Sequence, residues 1–335
     1  YPVIETLRLS LTSRAADGAF VGLDNYNKMF GDAKFWEAMR NNMLWLIIVP
    51  AASTAFGLLA AQLTDRIRWG NIAKSLIFMP MAISFVGAAV IFKLIYDTRP
   101  VDAAQIGVMN AVWLQFNGGI GSQLFLRILP AIVMTCSAGV FAYLAWGQVA
   151  LIREKGNAAL RGVWIVICAL IAIAFLRLAW GAVTIDPPYG TPQTWLTTPG
   201  WNSFLLMIVL IWIQTGFAMV ILSAALRGIP EETIEAAIVD GANPFQVFFK
   251  IKMPQISGTI VVVWTTITLT VLKVFDIVFA MTNGQWETQV LANYMFDKLF
   301  RANDWGVGSA SAMIIMLLVS PILVWNVYNA RKEMR

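Results

Sequence analysis

Seven runs of about twenty mostly apolar residues constrain this chain more than any other feature it contains. They cover 43–63, 72–96, 128–152, 162–183, 204–226, 259–282 and 307–328. A hydrocarbon core about 30 Å thick is crossed by about 20 helical residues, and lipid offers no partner to a free backbone N–H or C=O. Runs of this length must therefore close their hydrogen bonds internally, as helices. Residues 1–11 are too short to cross and read as the outer end of a first span that begins upstream. With 59% hydrophobic and 13% charged residues among 335, the chain far exceeds the apolar content of a water-soluble domain. The expectation is an all-α polytopic membrane protein with about eight spans.

Charge placement orients those spans. Arg66 and Arg68, then Arg153, Lys155 and Arg161, then Arg227, Lys250 and Lys252, then Arg331, Lys332 and Arg335 fall in alternate loops or the tail. By the positive-inside rule these segments, including 227–258 and the C-terminus, belong to the cytoplasm. The first opposing loop is poorer in contrast but not empty, holding Arg14, Lys28 and Lys34. The net charge of +5 is spread in short groups at the ends of apolar runs, which fits membrane orientation and not nucleic-acid binding. There is no His, so His-based triads and His metal sites are excluded. Cys136 and Cys168 lie inside apolar runs and read as packing residues. Gly70 to Ser75 superficially follows a phosphate loop but lacks Gly before Lys74, so no nucleotide is expected there. No nucleophile with a base and no metal cluster is present, which argues against an enzyme.

One polar interval stands out between two spans: RGIPEETIEAAIVDGANPFQVFFKIKMP, residues 227–254. Pro230 suits a first helical position, and Glu231 and Glu232 place negative charge at the positive end of the helix dipole. Gly241 can take the left-handed conformation that ends a helix, and Asn243 before Pro244 caps a second one. A prefabricated helix-turn-helix outside the bilayer reads as a part gripped by another protein.

Glu235-Ala236-Ala237, three residues, Gly241, nine residues, Ile251 and, after one residue, Met253-Pro254 resemble the EAA loop of the membrane subunits of binding-protein-dependent ABC importers. The family usually has Leu where this chain has Met253. FVGLDNY (20–26) and FDIVFAMTNG (275–284) resemble the carbohydrate branch, in the maltose and alpha-glucoside permease group. The resemblance covers roughly 1–97 and 191–335. It implies a type I ABC importer transmembrane domain in a bacterial inner membrane, forming half of a translocation path for an oligosaccharide or glycoside. Its implied partners are a second homologous permease subunit, two ATPase subunits that bind the ATP and Mg, and a periplasmic or lipid-anchored sugar-binding protein docking near Asn283 and Gly284. Coupling to the ATPases is implied for Glu231, Glu232, Glu235, Ala236, Ala237, Gly241, Ile251 and Pro254. Glu235 would meet an Arg of the partner, and Ala236 and Ala237 would let the helix enter a narrow cleft.

The expected layout is 1–11 as the truncated span, 12–35 along the outer surface, 36–122 with spans two and three, 123–190 as an inserted two-span hairpin, and 191–335 as the permease core. The hairpin departs from the family pattern and reads as a lipid-facing pair without a transport role. Sugars bind by aromatic stacking and hydrogen bonds, so the spans flanking the EAA loop are the candidate path: Gln214 and Phe217 in one, Trp264, Thr266, Thr270, Lys273 and Asp276 in the other. Thr266, Thr270 and Lys273 share a helical face. Lys273 is costly inside a span unless it faces water or pairs, with Asp276 three residues on, and a purely structural salt bridge is an equal reading. Ile267, Val271 and Val274 fall where the maltose group has polar residues, so its site does not transfer whole. Two other classes compete. An ion-coupled secondary carrier needs two related halves, and a membrane-embedded enzyme of lipid-linked sugars needs acidic residues at one membrane face. Neither pattern is found.

Overall fold

The computed structural model describes residues 2–13, 18–65, 67–116, 118–155, 158–184, 186 and 189–333, with side chains except those of 150–155, 158–160 and 322–333. Of the basic residues that orient the chain, Arg14, Arg66 and Arg335, and the side chains of Arg153, Lys155, Arg331 and Lys332, lie outside that description. The chain forms two compact units, one of Tyr1–Tyr96 with Thr194–Arg335 and one of Asp97–Gln193. The first unit opens with α1 (Pro2–Ser10), β1 (Thr12–Ser13), β2 (Ala19–Phe20), α2 (Asp24–Phe30), α3 (Ala33–Thr64), α4 (Gly70–Phe78) and α5 (Phe85–Ile95). The second contains α6 (Val108–Trp113), α7 (Ile120–Gln123), α8 (Leu129–Lys155) and α9 (Ala158–Thr184). The first resumes with α10 (Trp201–Arg227), α11 (Glu231–Val239), α12 (Pro244–Gln246), α13 (Met253–Gln255), α14 (Ser257–Leu272), α15 (Asp276–Met281), α16 (Leu291–Phe296) and α17 (Trp305–Glu333). The fold is all-α apart from the antiparallel pairing of Thr12 with Phe20 and Ser13 with Ala19.

Helices α3 and α10 are the scaffold of the first unit. At 32 residues α3 is about 48 Å long, so it projects beyond the hydrocarbon core. The Asp32 side chain caps it by accepting from the Lys34 amide at 2.9 Å. Small residues let it approach α10: a Cβ on Gly57 would sit 2.5 Å from the Ala218 Cβ. On α10, a Cβ at Gly216 would meet the Ile77 carbonyl oxygen at 2.6 Å, so α4 is seated equally close. Such backbone approaches drive helix association where lipid removes the hydrophobic incentive.

Two expected spans are not single helices. The 72–96 run turns by 102° between Gly70–Ala82 and Phe85–Ile95. Pro80 lacks an amide to continue the ladder, Ile83 is extended, and Ser84 starts a new helix by accepting from the Gly87 amide at 3.1 Å. The 259–282 run stops at Leu272, crosses Lys273 to Phe275 without helix and restarts at Asp276. Among the described residues, four helices are individually long and apolar enough to cross a membrane, and up to six if the bent pairs Gly70–Ala82 with Phe85–Ile95 and Pro244–Gln255 with Ser257–Leu272 each count as one span. The other two expected crossings correspond to α1, nine residues long, and α17, whose apolar part is Trp305–Pro321.

In the second unit α8 and α9 pack side by side, with Phe141 and Phe175 stacked at 5.9 Å. Arg127 pairs with Asp186 at 2.8 Å. Tyr143, Trp146 and Trp180 are exposed, as a lipid-facing surface requires. Cys136 is exposed, against its reading as a packing residue, and Cys168 is buried; both are free thiols.

Candidate functional site

A cavity of about 520 Å³ opens where α10 faces α14 and the break that follows it. That volume lies within the range of small-ligand sites. Its wall holds Leu210, Gln214 and Phe217 from α10, Thr266 and Thr270 from α14, and Lys273, Val274, Phe275, Asp276 and Ile277 from the break and α15, with Met81 and Phe85 completing it. Six of the seven path residues expected from sequence are thus gathered in one wall. Trp264 is not: it is 41% exposed on another face of α14, because it falls two positions out of step with Thr266.

The wall has a definite hydrogen-bonding character. Thr266 and Thr270 donate their hydroxyls to the carbonyls of Val262 and Thr266, at 2.9 and 3.1 Å, leaving acceptor lone pairs. The Gln214 amide, on a residue only 8% exposed, has no side-chain partner among the described residues and offers both donor and acceptor to the cavity. Lys273 and Asp276 do not pair with each other, and neither forms an ion pair among the described residues. The helix break explains this, since Lys273 follows the last residue of α14 while Asp276 begins α15. Favourable dipole ends stand in for a partner at each. Ile267 and Val271 are fully buried, about a quarter turn around α14 from Thr266 and Thr270, so their apolar character serves packing. Phe85 and Phe275, which add aromatic faces, escape sequence reasoning; the Pro80 and Ser84 break that positions Phe85 was the available signal.

The loop between α10 and α14 is fully built. Pro230 takes the cap position and not the first helical one, with Glu231 and Glu232 opening α11. Gly241 has φ +83°, and α11 closes in a Schellman arrangement, the Ala242 amide donating to the Ala237 carbonyl and the Gly241 amide to that of Ile238, each at 3.0 Å. Asn243 caps α12, from which a π-turn over Val247–Lys252 leads to α13. Ala237 is 9% exposed and packs within its own loop, where Val247 is also buried, so it is not free to enter a partner's cleft. Glu235 and Ala236 are exposed, Ile251 is half-buried and Pro254 exposed. Ile238, Val239, Phe245 and Phe249 stand out at 58%, 85%, 77% and 58% exposure. These exposed apolar side chains share the loop with the exposed Glu231, Glu232 and Glu235.

At the other end of α3, Asn41 donates to the carbonyls of Glu287 and Gln289, both at 2.8 Å, and Asn202 donates to that of Trp286 at 2.6 Å. These bonds tie down Trp286 and Glu287 at φ of 54° and 62°, and Asn283, bonded by Arg301 at 2.9 Å, has φ 53°, a region side chains seldom occupy. Gly284 has φ +72°, a conformation that favours glycine, and a Cβ there would displace the Gln289 amide, whose Oε1 lies 2.1 Å away. The loop borders a recess of about 540 Å³ lined by Asp32, Lys34, Asn283, Gly284, Asp297, Lys298 and Arg301 among others.

Comparison with known proteins agrees with this geometry. The alpha-glucoside transport system permease protein AglF of Rhizobium meliloti is 51% identical over 99% of this chain and 78% of its own length. The osmoprotective compounds uptake permease protein GgtC of Synechocystis is 37% identical over 100% of this chain and 94% of its own. Among solved structures, a chain of a bacterial ABC transporter involved in import of the acidic polysaccharide alginate superposes with a TM-score of 0.66 at 16% identity, over 100% of this chain and 90% of that one. The family model for the binding-protein-dependent transport system inner membrane component matches residues 53–333. This chain belongs to that family of ABC importer permeases, and is a transport component of the inner membrane and not an enzyme.

Proposed function

We propose that the chain is one of two permease subunits of an ATP-driven importer of a glycoside or oligosaccharide. The supporting observation is that the helices joined by the exposed 228–256 loop, α10 and α14, are the same two that carry Gln214, Phe217, Thr266 and Thr270 into one cavity. A push on the loop reaches the cavity wall through one helix on either side. In this reading the loop is cytoplasmic, as is the C-terminus. Two ATPase subunits, which bind ATP and Mg, grip the Glu231, Glu232, Glu235 and Ala236 face and the apolar group beside it. A sugar-binding protein docks on the outer 283–289 loop. The sugar stacks on Phe217, Phe85 or Phe275 and exchanges hydrogen bonds with Gln214, the two threonines, Lys273 and Asp276. The likeness to an alpha-glucoside permease supports a glycoside substrate.

The test is uptake into vesicles holding this chain, its companion permease, the ATPase pair and the binding protein. Radiolabelled α-glucoside should accumulate only with internal ATP and binding protein outside. Accumulation driven by an ion gradient without ATP would place the chain with secondary carriers and overturn the reading.

A further inference from the structure

The cytoplasmic end of α3 holds a charge cluster that neither the cavity nor the docking surface uses. One oxygen of Asp65, Oδ1, is bonded by the Lys74 ammonium, by Arg227 Nε at 3.1 Å and by the Ser223 hydroxyl at 3.1 Å. Lys74 also donates to Ser223 at 2.5 Å. These residues come from three elements: Asp65 follows the last residue of α3, Lys74 lies in α4, and Ser223 and Arg227 form the last turn of α10. Lys74 and Asp65 are mostly shielded from solvent, at 14% and 21% side-chain exposure, where ion pairs are screened least. Burial pushes the Asp65 carboxyl up, but the bonds from Lys74, Ser223 and Arg227 outweigh it and hold the group below its ordinary range, so it is an anion at neutral pH.

The backbone beneath the cluster is equally tight. A Cβ on Gly70 would lie 2.0 Å from the Thr64 carbonyl oxygen, so the α3–α4 turn closes only with glycine there. The first root of the 228–256 loop is tied at Arg227 by a charged pair and at Ser223 by a hydrogen bond, both to Asp65, and Lys252 near the second root contacts Gln62 of α3 at 3.5 Å. Beyond that second root the chain turns by 70° into α14.

We infer that Asp65 is a positioning residue for energy coupling: it locks the first root of the loop to α3 and α4, so that loop movement is delivered to the cavity through the bend into α14. The inference rests on the loop being the ATPase handle. A fixed root on α10 and a bent one on α14 turn a push on the loop into movement of the wall carrying Thr266, Thr270 and Lys273 against the wall carrying Gln214. Without the lock, the push is spent in displacing Arg227 from α3.

The experiment uses the complete importer in vesicles and measures sugar imported per ATP hydrolysed, beside the amount of ATPase that co-purifies. Asp65→Asn should keep full ATPase attachment and lower sugar per ATP by at least about fivefold, the lower end of typical coupling effects. Arg227→Met, a milder change at a half-solvated side chain, should lower the same ratio in the parent but by less than about twofold in the Asp65→Asn background, because the two act through one bond. Asp65→Glu should restore most of it. An unchanged ratio in Asp65→Asn, additive losses in the double variant, or loss of the ATPase from Asp65→Asn would each overturn the inference. Glu235→Lys separates the two levels: if that variant retains the full ATPase complement and parental uptake, the handle itself is misassigned, whatever Asp65 does.

Discussion

Asn243 and Gln246 hydrogen-bond each other in both directions, the Gln246 amide donating to Asn243 Oδ1 at 2.8 Å and the Asn243 amide to Gln246 Oε1 at 2.9 Å. This capping box starts the second half of the 228–256 loop just after Gly241 has reversed it, so two adjacent devices set the angle between α11 and α12. Asn243→Ala leaves the Gln246 amide without its partner, at about 1 kcal/mol of local stability. Hydrogen exchange over 244–252 should accelerate severalfold while exchange in α10 stays unchanged. Unaltered protection in the loop would show that packing of Val247, and not the cap, holds it.

Gly241 should be intolerant for conformational reasons alone. Nothing lies within 4 Å of a Cβ built there, yet its φ is +83°. Gly241→Ala is expected to cost about 1 kcal/mol and Gly241→Val roughly 1–2 kcal/mol. Uptake should fall in that order with little loss of membrane insertion. Equal uptake by parent and Val variant would mean that the turn angle does not matter for coupling.

The backbone of the 228–256 loop was legible almost whole because its devices are local: Pro, Asn and Gly at fixed offsets determine backbone geometry within a turn. Burial of Ala237 was not legible, since it depends on Val247 folding back from the π-turn. The spans show the same division. Length and apolarity mark 72–96 and 259–282 as membrane segments, but their breaks depend on tertiary seating, of α4 on Gly216 and of Lys273 at a cavity edge. Pro80 with Ser84 was a readable warning of the first break. At the second, Lys273-Val274-Phe275 contains no helix breaker, and only the cost of two charges in a span hinted that water reaches it. Helical periodicity places Thr266, Thr270 and Lys273 on one face, the one that lines the cavity, and puts Trp264 on another.

The N-terminal end of α3 should be acid-sensitive. Asp32 accepts from Lys298 at 2.8 Å, from Tyr294 at 3.0 Å and from the Lys34 amide at 2.9 Å. Burial raises its carboxyl pKa, but these partners outweigh burial and leave it below the ordinary 3.8. A lowered folded value means that Asp32 contributes stability in full above the unfolded pKa and loses it as pH falls through the folded one. Protection of 291–301 should therefore weaken below about pH 4. Asp32→Ala should cost roughly 1–3 kcal/mol at neutral pH and abolish Asp32's share of the acid dependence. An acid profile identical in parent and variant would assign the effect to another carboxylate.

Sidedness follows from the loops. Glu232→Cys and Gln285→Cys both place a thiol at an exposed loop position. In sealed cells an impermeant maleimide should label the second from outside and the first only after permeabilisation. Reversal of both patterns would invert the proposed orientation and remove the 228–256 loop from contact with ATPases.

The cavity makes the most direct claim on transport. Gln214→Leu replaces an amide that has no partner among the described residues by an apolar side chain of similar volume, so neither a void nor a stranded protein group results. If sugar hydroxyls meet that amide, losing about 1–1.5 kcal/mol of hydrogen bonding should weaken apparent affinity about tenfold, with assembly, ATPase attachment and melting temperature at parental values. Trp264→Leu is the internal comparison: its side chain is large and lies on α14, the helix that carries Thr266 and Thr270, but outside the cavity wall, so KM for uptake should stay within about twofold of the parent. An increase in KM for Trp264→Leu but not for Gln214→Leu would move the sugar to the other face of α14, and with it Thr266, Thr270 and Lys273 would leave the path.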